Sequence, residues 1–198
     1  SRSVLRVEEV GDGGKGGGVE SIAQALWVLV RLCRRAMSKD TSCAANLDLV
    51  GSESCVKSVF GYLKDNHDIL KNPNVALACC WLIMVLASDS EERQVRLGAS
   101  SAIDVLALTF TAFKGNTDYP KVTEFATRAC RNMGAHDEVA HQLVEVGCCE
   151  ALVDITRAYT AILIDIDQNR SSTDLAGMLM TSTDESDITD GGDSKVLV

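Results

Sequence analysis

Proline is nearly missing from this chain, with two in 198 residues, and aromatic side chains make up only 5%. Sandwiches and barrels draw on aromatic and β-branched strands and on frequent turn residues, so a β architecture is disfavoured and helix is the expected secondary structure. Long apolar runs are lacking as well. The longest stretches fall short of the roughly 18 to 20 residues needed to cross a bilayer, and the opening residues hold no apolar segment of signal-peptide type. The expectation is a soluble, intracellular chain, cytoplasmic with the nucleus as a second compartment, and not inserted in a membrane. A first residue of serine fits a fragment or a processed chain.

Positive charge is the third scarcity. Lysine and arginine number 19 against 28 acidic residues, for a formal net charge of −9 and a pI near 4.8. Asp165–Val198 holds eight acidic and two basic residues, so six of those nine charges sit at the C-terminal end. Nucleic acid and anionic membrane both demand a cationic footprint, and neither is an expected partner.

Eight cysteines are present, yet no two stand as C-x-x-C. Cys33, Cys79, Cys80 and Cys130 lie within apolar runs, as reduced core thiols do. On a helix the adjacent pairs Cys79-Cys80 and Cys148-Cys149 point about 100° apart, which is unsuited to a structural zinc site. His136, Asp137 and His141 do not suit a metal either, because the two histidines are five apart where one helical face needs i and i+4. Asp137 is better explained as the cap of a helix starting near Glu138. No cofactor, metal or catalytic residue is expected.

What is present is organised. Residues 1–18 include Gly-Asp-Gly-Gly-Lys-Gly-Gly-Gly, which lacks the side chains that offset backbone ordering and reads as a flexible leader. No Gly-Lys-Ser/Thr follows it, so it is not a phosphate loop. Residues 167–198 shift to serine, threonine, aspartate and glycine and are expected to be disordered. Residues 19–166 form the folded domain.

That domain repeats itself. Leu49-Val50-Gly51, Arg96-Leu97-Gly98 and Glu145-Val146-Gly147 begin three windows that align without a gap, their glycines 47 and 49 residues apart. Helical HEAT and armadillo repeats run about 40 to 47 residues. Glycine is expected at each site because a helix that stops in a left-handed residue and turns into another needs the residue without a Cβ penalty. A short amphipathic helix follows each glycine. A longer, more apolar one precedes it: Ser21 to Arg34, Asn74 to Ala87 and Lys121 to Ala135. Asn72-Pro73-Asn74 and Asp118-Tyr119-Pro120 place proline where a helix can begin. The long helices are apolar over most of their circumference and are expected to be central. The first repeat shows a longer connection, from Arg34 to Leu47.

Asn72 to Val75, Cys80 to Asp89 and Glu91 to Gly98, repeated in Ala129 to Ala135 and Glu138 to Gly147, resemble the armadillo repeat family over about Val19 to Tyr159. The resemblance implies an all-α, right-handed superhelical solenoid of about three repeats. Members that bind extended peptides line a groove with their third helices, where a ladder asparagine and a tryptophan four residues earlier meet the ligand. The matching pairs here are Trp27 with Arg31, Trp81 with Val85, and Arg128 with Asn132, each on one helix face.

Trp27, Arg31, Trp81, Arg128 and Asn132 are thus the candidate peptide-binding residues. Arg35, Asp89 and His136 lie one turn further along the same face, in a groove expected to be mainly cationic through Arg31, Arg35, Arg128 and His136. Each has a structural alternative: core packing for the tryptophans, a bond to a neighbouring helix end for Asn132, and a solvated face for the arginines. The implied function is a non-catalytic scaffold that takes an acidic or phosphorylated segment of a protein partner. The rival expectation is a structural piece of a longer solenoid, packing end to end with further repeats.

Overall fold

A computed structural model describes residues 15–36 and 41–181, and they are all-helical, with no strand among them. In chain order the helices are α1 (Lys15–Ala36), α2 (Thr41–Val50), α3 (Glu53–Asp65), a 3-10 turn (His67–Lys71), α4 (Pro73–Leu86), α5 (Glu91–Gly98), α6 (Ala102–Phe113), α7 (Pro120–Met133), α8 (Asp137–Glu145) and α9 (Cys148–Thr181). The chain divides between Thr156 and Arg157 into two compact units. The second, over its described residues 157–181, is helix with Leu163, Ile164 and Ile166 more than half exposed. The first holds the hydrophobic core.

Helix reaches further than composition suggests. Lys15 to Gly18, the end of the expected leader, open α1, and 167–181, the start of the expected tail, continue α9. Once a helix is nucleated by packing, another turn costs only about 1 kcal/mol per glycine. Residues 1–14 and 182–198 of those two segments lie outside the described residues. The expected long connection from Arg34 to Leu47 is mostly helix too, since α2 begins at Thr41.

Local chemistry explains the boundaries. Asn72 Oδ1 accepts from the Asn74 and Val75 amides at 2.9 and 3.3 Å, and Pro73 opens α4 where its missing N–H is harmless. Ser90 Oγ caps α5 by accepting from the Arg93 amide. Pro120 opens α7. Helix α8 differs from expectation: Asp137 is its first residue, and His136 holds the cap position without a side-chain cap bond. Asp137 and Glu138 thus meet the positive end of the helix dipole from inside the first turn.

The core centres on α4. Nine of its fourteen residues are buried, among them Val75, Cys79, Cys80, Leu82, Ile83 and Leu86, because α1 packs on one side and α7 on another. Burial of α1 and α7 is one-sided, confined to Ala23, Leu26, Val30 and Cys33 on the former and to Val122, Ala126, Ala129 and Met133 among others on the latter. The expectation that all three long helices are central therefore holds for α4 alone. Successive short helices also pack in kind, α3 on α6 and α5 on α8.

The carbonyls that end α4 are met by α5. Arg93 donates through Nε to Leu86 O and through Nη2 to Ser88 O, both at 3.0 Å, and Gln94 Nε2 donates to Ala87 O at 2.9 Å. These acceptors would otherwise be orphaned beside the core.

The three aligned glycines close α2, α5 and α8, but for two physical reasons. Only Gly147 has a positive φ, of 82°. Gly51 and Gly98 are needed for close approach. A Cβ on Gly51 would stand 2.9 Å from Arg93 Cδ of α5, and one on Gly98 would stand 2.8 Å from Val139 Cγ2 of α8. Gly51 and Gly98 are thus the seats of α5 and α8.

Replacing Gly98 with alanine should lower unfolding free energy by about 1–3 kcal/mol, since Val139 is β-branched and cannot swing aside. Gly61→Ala in α3, where the added methyl meets nothing within 4 Å, should raise it by roughly 0.5–1 kcal/mol. Urea titration of both variants checks the contrast in sign.

Candidate functional site

Because α1, α4 and α7 lie side by side, their half-buried aromatic rings form a row. Trp27 meets Trp81 edge to face, with ring centres 5.3 Å apart and planes at 80°. Trp81 stacks on Phe125 at 4.6 Å and 27°. The Arg128 guanidinium lies 5.6 Å from the centre of the Phe125 ring, within cation–π range. Aromatic pairs of this kind contribute about 0.5–1.5 kcal/mol each beyond the area they bury.

Four of the sequence-predicted residues belong to this surface or its end. Trp27 and Trp81 touch directly. Arg128 joins them through Phe125 and pairs with Glu124 at 2.8 Å. Glu124 also bonds Lys121 at 2.6 Å, and that bond holds its carboxyl below the usual range. Asn132 Nδ2 donates to Met84 O at 2.9 Å, tying α7 to the last turn of α4, which is the structural role foreseen as its alternative. Arg31 is exposed on α1. The side chain of Arg35 lies outside the described residues.

Phe125 escaped the sequence reading because position matching aligned Arg128 with Trp81. The stack runs diagonally instead, to the aromatic one turn earlier. A bulky ring three residues before the matched position was the available signal.

At the ends of α4 and α7, reached from the row through Arg128, lies a cleft of about 1150 Å³, lined by Met84, Val85 and Ala87 to Glu91 from one stretch and by Arg128, Arg131, Asn132 and His136 from another. Its lining carries charges of both signs, and Arg31 of the expected cationic groove is not part of it. Arg128 and Arg131 line it together with Asp89, Glu91 and Asp137. His136 Nε2 stands 3.6 Å from Glu91 Oε1, while its buried Nδ1 has no hydrogen-bond partner among the described residues. Asp89 is the one non-glycine residue with positive φ, 52°, among the described residues. Aspartate tolerates that conformation better than most residues, and holding it there costs roughly 1–2 kcal/mol.

Thiols are the remaining reactive groups. All described cysteines are free. Burial pushes Cys33 and Cys80 up to about 12 and Cys79 well above its ordinary value. Cys130 is raised by its hydrogen bond to Cys148 and by burial. Cys149 is exposed. No three His, Cys, Asp or Glu side chains converge as metal ligands among the described residues, and no single described helix is long and apolar enough to cross a membrane.

Protein-family models, curated proteins and solved structures give no match to this chain. Its own geometry is therefore the basis for a functional reading.

Native alkylation with iodoacetamide, followed by peptide mass mapping, should modify Cys149 rapidly and leave Cys79 and Cys80 unmodified until denaturant is added. Early modification of Cys79 or Cys80 would contradict the closed core around α4.

Proposed function

We propose that the first unit is a non-catalytic, armadillo-type helical-repeat module that binds an extended segment of a protein partner across α1, α4 and α7. The observation that carries this reading is the continuous row of Trp27, Trp81, Phe125 and Arg128, which links three successive long helices and ends at the cleft. Half-buried rings offer a ligand large contact area with little ordering cost, and arginine adds directed donors to carboxylate or phosphate. An acidic or phosphorylated segment is the ligand class that Arg31 and Arg128 favour. The armadillo assignment is supported by like helices packing on like and by Gly51 and Gly98 seating α5 and α8. Free buried thiols suit a reducing compartment.

One observation favours a second reading, a structural piece of a longer solenoid: Val28 is 54% and Leu32 40% exposed on α1, the first described helix. An unstacked repeat end leaves such apolar surface. A monodisperse monomer at high concentration in analytical ultracentrifugation, with one cooperative melt, would count against it.

For the favoured reading, an array of acidic and phosphoserine peptides should yield binders that shift tryptophan emission. Their affinity should fall at least about tenfold in R31A/R128A. Undiminished binding in that variant, with helical circular dichroism intact, would remove these residues from the binding surface.

A further inference from the structure

The cleft at the ends of α4 and α7 is lined by charges of both signs, and this narrows the ligand. Arg128 and Arg131 belong to α7 and Asp137 opens α8 just beyond it, whereas Asp89 ends the α4–α5 turn and Glu91 opens α5. Among the described residues these stretches form no ion pair with one another except the long 3.6 Å approach of His136 to Glu91. Arg128 is engaged sideways by Glu124 on its own helix. Arg131 and Asp89 are both exposed, without an ion-pair partner among the described residues. The strained backbone of Asp89, at φ 52°, keeps it on the rim.

Two arginines against three carboxylates leave little net field for a ligand of one sign. An all-acidic segment that reaches Arg128 and Arg131 is repelled by Asp89, Glu91 and Asp137, and an all-basic one meets the reverse. Like charges brought together in an interface are a strong discriminator, and only a ligand with both signs satisfies both sets of groups. The cleft is open to solvent and shares Arg128 with the aromatic row, a shape that suits an extended polypeptide.

We propose that this cleft selects a peptide segment of mixed charge, in which an acidic or phosphorylated residue meets Arg128 and Arg131 while a neighbouring lysine or arginine meets Asp89 and Glu91. The inference rests on the peptide-binding reading above and specifies its ligand.

Three fluorescein-labelled, serine-spaced peptides of equal length test it: all-glutamate, all-lysine, and alternating glutamate and arginine. Anisotropy gives affinity, and tryptophan emission reports contact with the Trp27–Trp81 row. The alternating peptide should bind about tenfold tighter than either other. R128Q/R131Q should remove that preference. D89N/E91Q, in which asparagine keeps the tolerated backbone conformation, should shift preference to the all-glutamate peptide. A single-sign peptide that binds wild type as tightly as the alternating one overturns the mixed-charge inference and leaves the groove reading standing. If none of the three changes anisotropy or emission, both fall.

Discussion

Everything in the first unit depends on the burial of α4. A helix apolar around nearly its whole surface is stable in water only when neighbours cover it, and each fully buried large side chain contributes about 1.5–3 kcal/mol. That requirement draws α1 and α7 against α4 and places Trp27, Trp81 and Phe125 in one row. It also removes water from the end of α4, so its last carbonyls take donors from Arg93 and Gln94. The cleft opens where this capped end meets α7, which Asn132 fastens to Met84 O.

The charged groups around the cleft have a different energetic standing. Exposed ion pairs are worth about 0–1 kcal/mol, so Asp89, Glu91, Arg128 and Arg131 add little to folding. In the proposed complex their energetic weight would fall on a ligand that excludes water from them, where Coulomb interactions strengthen. The same region tolerates a left-handed Asp89 and a buried His136 Nδ1 with no hydrogen-bond partner among the described residues. Those local costs are offset by the closed core a few residues away.

Much of the fold was legible from periodicity and punctuation. Asn72-Pro73 and Tyr119-Pro120 mark the starts of α4 and α7, and the three glycines mark the ends of α2, α5 and α8. The reason assigned to the glycines was right for Gly147 alone, because the approach of Arg93 to Gly51 and of Val139 to Gly98 spans more than forty residues of chain. Of the candidate site, Trp27, Trp81 and Arg128 were found by register. Asp89 was placed on the groove face by the same register, whereas Phe125 and Arg131 were not found, since contacts across helices follow packing angle and not position number.

By itself the sequence determined the helical class, the starts of α4 and α7 and the apolar character of α4, because these follow from local propensity, capping chemistry and hydrophobic spacing along one chain. Tertiary structure decided which long helix is central, how the rings stack and which charges line the cleft together. Those outcomes depend on how neighbouring helices approach, and that approach is set by the side chains of both partners together.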